Sequence, residues 1–76
     1  MAKRKWSEIM KELYVGKENE VIQNPFSGQS ATLDPVEVAV YDYIKGCEMT
    51  RTYTYFDDAR YWFMKKNSKA YMTLLD

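Results

Sequence analysis

The chain of 76 residues contains no histidine and a single cysteine, Cys47. Histidine is the commonest general base and the commonest metal ligand, so its absence removes both roles from the candidate chemistry. One cysteine without histidine can form neither an internal disulfide nor a zinc site of the usual kind. We therefore predict a protein that is not an enzyme, with no catalytic residue, no metal and no cofactor. A lone cysteine also suits a reducing compartment.

Net charge and long apolar runs are absent as well. Eleven Lys and Arg residues balance eleven Asp and Glu residues, so no overall field attracts the chain to nucleic acid or to a membrane. No apolar run approaches the roughly 20 residues of a membrane span. The basic start at residues 1–5 is not followed by the apolar segment of a signal peptide. We expect a cytoplasmic protein without a membrane span.

Glycine and proline are scarce, with three and two residues. Two of these five, Pro35 and Gly46, lie at the start and near the end of the segment with the clearest helix signal. Asp34 can cap a helix, Pro35 suits its first position, and Glu37 has the spacing that closes a capping box. Gly46 can end the helix in a left-handed conformation, or it can lie inside the helix with residues 47–49 as a last turn. The sequence predicts a central capped helix at about 35–46.

The segments before this helix have two different patterns. Residues 1–16 predict an amphipathic helix that starts near Lys5 and stops at Gly16. This helix either packs on the core or, loosely attached, docks on a membrane surface or a partner. Residues 21–33 predict a small β-hairpin or ordered loop, with Phe26 as its anchor in the core. The apolar stripe of the first helix consists of Trp6, Ile9, Met10, Leu13 and Tyr14.

Two further helices are predicted after the central one. Thr54 and Asp57 have the spacing of a cap and its third helical residue, which indicates a helix from Tyr55 to about Lys66. A short last helix follows over 69–75, with Asn67 and Ser68 between the two. The chain is thus predicted to be one small domain, mainly α, with three to four short helices around the central one. The predicted core is Ile9, Leu13, Phe26, Leu33, Val36, Val40, Ile44, Phe56, Ala59, Phe63, Leu74 and Leu75.

The third helix has more aromatic surface than one inner face needs. A helix that is apolar most of the way round is normally buried on most sides, and a chain of 76 residues cannot bury two such helices alone. We therefore predict a homo-oligomer or a protein partner at this surface, because Tyr, Trp and Met are enriched in interface cores. The predicted interface residues are Tyr41, Tyr55, Tyr61, Trp62 and Met64. The alternative is that Tyr and Trp lie half-exposed at the rim of a monomer core.

The same region offers a second interpretation, which is binding of a small nucleotide or a nucleic acid. Aromatic rings can stack on bases while Lys and Arg meet phosphates. Zero net charge argues against a long polyanion, whereas a small nucleotide needs only one or two cations. The candidate ligand-binding residues are Arg51, Tyr53, Tyr55, Arg60 and Lys66.

Four segments together resemble a group of small uncharacterised proteins of tailed phages, marine phages especially. The segments are Asn24-Pro25-Phe26-Ser27-Gly28, Leu33-Asp34-Pro35-x-Glu37-Val38-Ala39-x-Tyr41-Asp42, Ala59-Arg60-Tyr61-Trp62-Phe63-Met64 and Ala70-Tyr71-Met72-x-Leu74-Leu75-Asp76. The resemblance covers about residues 21–76. It implies a phage accessory protein in a bacterial cytoplasm that occupies a host protein or captures a small molecule.

Overall fold

A computed structural model describes residues 5–13 and 15–75 of the chain. In these residues the chain forms four helices and one two-stranded hairpin, which confirms the mainly α prediction. The elements are α1 (Trp6–Glu12), β1 (Glu20–Gln23), β2 (Ser30–Leu33), α2 (Pro35–Thr50), α3 (Phe56–Lys66) and α4 (Ser68–Leu74).

The start of α2 has the predicted cap geometry. The Glu37 amide donates to Asp34 Oδ1 at 2.8 Å, and the Asp34 amide donates to Glu37 Oε1 at 2.9 Å. Two backbone donors that the helix itself cannot satisfy are thus bonded. Pro35 occupies the first helical position, where its missing N–H costs nothing. Glu37 is buried because its carboxylate folds back onto this junction.

The end of α2, at Thr50, lies four residues beyond the predicted boundary of about 46. Gly46 lies inside the helix and does not end it, which was the second predicted alternative. Arg51 is the C-cap, in the left-handed conformation with φ of 58°. Glycine inside a helix costs only about 1 kcal/mol relative to alanine. Ile44 and Cys47 are buried on either side of it, and their burial holds the helix together through that position.

Residues 20–33 form the hairpin rather than an irregular loop. β1 and β2 pair antiparallel, with Glu20 opposite Leu33 and Gln23 opposite Ser30. An isolated two-stranded hairpin is marginal in water, so it needs a surface to lie on. Leu33 at the end of β2 is completely buried, and β2 lies against α4 and α2.

The buried core joins β2 to the three C-terminal helices. Two predicted core residues, Phe26 and Val36, are exposed. Leu13, Phe56 and Leu75 are half-buried and pack against the core, whereas Ile9 is half-buried on α1 and is not part of it. Phe26 is 97% exposed because it stands in the turn of the hairpin, beyond the strands. Val36 is 37% exposed because successive helical residues point about 100° apart, and Glu37 takes the inward position. The core cluster is Leu33, Val40, Ile44, Ala59, Phe63, Ala70 and Leu74.

The first helix packs on the domain's own core. The Trp6 ring lies 5.4 Å from that of Tyr43, and Met10 and Leu13 also rest on the core. The helix begins after Lys5 as predicted, but it ends at Glu12, before Gly16. Tyr14, the last residue of the predicted stripe, lies outside the described residues.

The starts of α3 and α4 each differ from the predicted position by one residue. Tyr55 is the N-cap of α3 and makes no side-chain cap bond, so the predicted Thr54 cap is wrong. The side chain of Asn67 caps α4, accepting from the Ala70 amide at 3.1 Å. An Asn side chain satisfies an orphan amide as well as Ser does, so α4 begins at Ser68. Within the described part of the chain, no helix combines the length and apolar character needed to cross a bilayer.

We expect Asp34→Ala to lower the free energy of unfolding by about 1 kcal/mol, the usual cost of losing an N-cap. The loss follows because the Glu37 amide no longer has its side-chain acceptor. Urea unfolding followed by circular dichroism measures it. Asp42→Ala is the matched control, since Asp42 is exposed on the same helix. Equal effects of the two substitutions would contradict the structural role of the capping box.

Candidate functional site

The exposed face of α3 holds two of the predicted interface residues. Tyr61 is 59% exposed, and Met64 is exposed three residues further along the same face. Lys65 lies 5.5 Å from the Tyr61 ring centroid and covers part of the ring. Trp62 points about 100° away from Tyr61 and is partly buried against the core. The structure therefore separates Trp62 from the other two.

The remaining predicted interface residues lie elsewhere. Tyr55 is half-buried at the N-terminus of α3, and Tyr41 is half-buried on α2. Tyr41 lies beside the C-terminal end of α4 and the hairpin turn, where it lines a groove with Leu74 and Leu75. The five residues predicted for one interface thus occupy several places, and only Tyr61 and Met64 share an exposed helix face.

Arg60, a candidate phosphate ligand, is occupied by a structural role. Its Nη2 donates to the Tyr71 hydroxyl at 2.6 Å. The guanidinium lies 5.4 Å from the Phe56 ring centroid and 5.7 Å from that of Tyr71. A cation between two rings gains from both their electron-rich faces. Arg60 therefore links α3 to α4 and is not directed at solvent.

Among the other candidate ligand-binding residues, Lys66 lies far from Tyr55. Lys66 is the last residue of α3, and its Nζ lies 3.8 Å from Asp34 Oδ2 at the start of α2. Eleven residues separate it from Tyr55, which corresponds to about 16 Å along a helix. Arg51 is exposed at the end of α2, and the Tyr53 ring packs edge-on against Phe56 at 5.2 Å. Lys66 is therefore not beside Tyr55, and Arg60 is already bonded to Tyr71.

The turn of the hairpin presents Phe26 on a hydrogen-bonded backbone. The side-chain oxygen of Asn24 accepts from the Phe26 amide at 2.8 Å and from the Ser27 amide at 3.4 Å. The Asn24 carbonyl accepts from Gly28, whose φ of 79° suits glycine, and the Asn24 amide donates to Gln29. An Asn side chain that bonds the backbone two residues ahead is a recurrent way to fix a turn.

Asn24 also ties this turn to the opposite end of the chain. Its Nδ2 donates to the Thr73 carbonyl in α4 at 2.9 Å, across 49 residues of sequence. The side chain therefore bonds to the turn and to the last helix at the same time. Phe26 next to it remains 97% exposed. The result is an aromatic side chain that projects from a turn anchored on two sides.

A shallow groove of about 290 Å³ lies beside Phe26. The apolar part of its wall is formed by Tyr41 and by Leu74 and Leu75 at the end of α4. Lys45 and Glu48 of α2 add one charge of each sign, 3.8 Å apart. We name this space the α2–α4 groove. Its other wall is the turn itself, Asn24, Pro25 and Phe26.

Sequence reasoning missed this site because it assigned Phe26 to the core. The available signal was its position between two pairs of turn residues, Asn24-Pro25 and Ser27-Gly28. The tip of a hairpin projects beyond its strands, so a large apolar residue there reaches the core only if the turn folds back. The bond from Asn24 to Thr73 holds the turn in place without folding Phe26 inward.

A cluster around Tyr43 lies beneath α1. Burial raises the pKa of Tyr43 to about 12, and the neighbouring Cys47 adds to the rise through its charge and a hydrogen bond. Tyr55 and Asp58 act in the same direction because their negative charge would repel a phenolate. The site therefore favours the neutral phenol. Among residues 5–13 and 15–75, no three His, Cys, Asp or Glu side chains gather as a metal site would require.

Comparison with known proteins found no relative. No protein-family model matches the chain, and no curated protein or solved structure matches it significantly. The function is therefore argued from the chain's own geometry.

We expect Asn24→Asp to lower the free energy of unfolding by about 1–3 kcal/mol, the cost of leaving a polar group unsatisfied. Aspartate keeps the acceptor for the Phe26 amide, but it loses the donor to Thr73 and places two acceptors face to face. Urea unfolding measures the loss. Asn19→Asp, in the exposed connector, makes the same change of charge and is the control. A control loss as large would show that the Thr73 bond contributes nothing.

We expect stability to fall as pH rises from about 10 to about 12, in part through Tyr43. The unfolded chain ionises its tyrosines near 10, whereas the Tyr43 pKa in the folded protein is about 12. Between these values the folded state binds more protons, so the free energy of unfolding decreases with pH. Thermal unfolding at several pH values measures the slope. Tyr43→Phe should flatten it more than Tyr61→Phe, and equal slopes would contradict the burial effect.

Proposed function

We propose that this chain is a non-enzymatic interaction module that binds another protein chain through Phe26 and its surroundings. The single observation that carries the proposal is the 97% exposure of Phe26 on a turn fixed by Asn24. Burying a Phe side chain typically contributes about 1.5–3 kcal/mol, and here the folded domain gains almost none of it. That free energy is available to a complex.

The order of the turn favours binding further. Ordering a loop on association costs free energy that reduces affinity. In this turn the hydrogen bonds of Asn24 have already met much of that cost, both locally and through Thr73. Aromatic side chains that project from ordered backbone are typical anchors, which fill a pocket on a partner and dominate the binding energy.

A second contact surface is proposed on α3, where Tyr61 and Met64 are exposed together. This is the remaining part of the interface predicted from the sequence. Substitution of Trp62 is a poor test of it, because Trp62 is partly buried against the core and its loss would also weaken the fold. Tyr61→Ser changes the exposed face alone.

The proposed setting is the cytoplasm of a bacterium. The resemblance of residues 21–76 to small tailed-phage proteins supports an accessory protein that acts on host or phage proteins. The single Cys47, which is free and buried, suits a reducing compartment. A neutral net charge supports recognition by shape and apolar contact rather than attraction to a polyanion.

The proposal is tested by replacing Phe26 with a photo-crosslinking phenylalanine analogue in bacterial cells that produce the protein. We expect irradiation to give a discrete adduct, because the side chain at position 26 inserts into a partner. Val21 on β1, which is 69% exposed on the same hairpin, is the control position.

Denaturing electrophoresis and mass spectrometry of the tryptic peptides identify the attached protein. A discrete adduct at Phe26 and none at Val21 supports the proposal. Absence of any adduct at Phe26, or equally heterogeneous labelling at both positions, would show that the exposed ring does not bind protein.

A further inference from the structure

We propose that the partner of Phe26 is a second copy of this chain, in a two-fold dimer where each Phe26 enters the other copy's α2–α4 groove. The proposal rests on the proposed function, since it names the partner of the same site. Phe26 and the groove are adjacent walls of one space, so each copy carries both a projecting ring and a recess beside it.

Two-fold symmetry requires a surface that is complementary to itself. In such an interface, residue i of one copy meets residue j of the other, and j meets i in return. A projection next to a recess meets this requirement when the axis passes between them. The Phe26 ring borders its own groove and is still 97% exposed, so it can reach a second copy without any change of backbone.

The recess has the chemistry that a Phe ring needs. Tyr41, Leu74 and Leu75 supply aromatic and aliphatic contacts, and the groove volume of about 290 Å³ admits a ring. Lys45 lies over the Tyr41 ring, 5.6 Å from its centroid, and Tyr41 is half-buried. The groove is therefore largely formed before association, as ligand-binding recesses usually are.

The charges on the rim are also complementary under a two-fold axis. Lys45 and Glu48 lie about one helical turn apart on α2, with their charged atoms 3.8 Å apart. When the two α2 helices run antiparallel across the axis, Lys45 of each copy faces Glu48 of the other. Both pairs are then attractive, and zero net charge leaves no long-range repulsion between copies.

The area available predicts a weak dimer. A buried Phe contributes roughly 150–250 Å² and a standard interface buries about 800 Å² on each partner, so the ring supplies about a quarter of one side. The total surface of 5631 Å² allows such a contact without covering most of the molecule. We expect a dissociation constant on the order of micromolar, typical of small interfaces.

Sedimentation equilibrium of the purified chain over micromolar to millimolar concentrations tests the dimer. The wild-type chain should shift from monomer to dimer, at twice the 9.0 kDa chain mass. Phe26→Ser should raise the dissociation constant about 30-fold or more, as loss of a central aromatic anchor does. Val21→Ser, an apolar-to-polar change on the same hairpin, should leave it unchanged.

A pair of charge reversals tests the two-fold geometry itself. Lys45→Glu and Glu48→Lys should each weaken self-association about tenfold, because like charges then face each other twice. An equimolar mixture of the two variants should regain wild-type association, since every facing pair is again opposite in sign. Lys17→Glu and Glu20→Lys, on the exposed connector and β1, should change nothing singly or mixed.

The outcomes separate this proposal from the proposed function. A chain that remains monomeric, or a dimer unaffected by Phe26→Ser and by the charge reversals, overturns the reciprocal dimer. If the photo-crosslinker at Phe26 still yields a discrete adduct with a different protein, the interaction module stands and only its partner is changed. If it yields no adduct, both proposals fail.

Discussion

The junction between β2 and α2 is the constraint on which the rest of the structure depends. Leu33 is completely buried, and the very next residue begins the reciprocal cap between Asp34 and Glu37. The strand therefore passes directly into the longest helix, with both orphan amides satisfied at the point of the turn. Because β2 and α2 each contribute to the core, the cap also sets the angle at which hairpin and helix bundle meet. A looser junction would leave the hairpin without the surface that it needs.

Asn24 does for the far end of the hairpin what this cap does for the near end. One side chain bonds the Phe26 amide and the Thr73 carbonyl, so the turn is held to α4 although 49 residues separate them. Because the hairpin is held at both ends, the position of its turn relative to the helices is defined. The exposed ring of Phe26 and the wall formed by Leu74 and Leu75 are consequently placed side by side by the same bond. The candidate site is thus a product of the fold's own anchoring.

Local chemistry explains which elements could be predicted. The capping box needs only two residues at fixed spacing, Asp34 and Glu37, so the start of α2 follows from the sequence alone. The end of α2 does not, because tertiary burial of Ile44 and Cys47 outweighs the modest cost of Gly46 within the helix. Phe26 is the larger error, since hydrophobicity suggested a core residue. Its exposure follows from its place in the turn beyond the strands, and the bond to Thr73 that holds this turn on α4 cannot be read from sequence spacing.

For a small domain, a single projecting ring can mediate binding while exposing less apolar surface than an apolar helix face would. Each exposed apolar side chain on α3 competes with the need for soluble surface, and Lys65 already covers part of Tyr61. A single Phe on an anchored turn exposes little area, yet it buries nearly all of that area when it enters a recess. Because the recess between α2 and α4 lies beside the ring on the same surface, one copy of the chain presents both a projection and a recess. A chain with a small core can therefore recognise a partner without giving up core residues to do so.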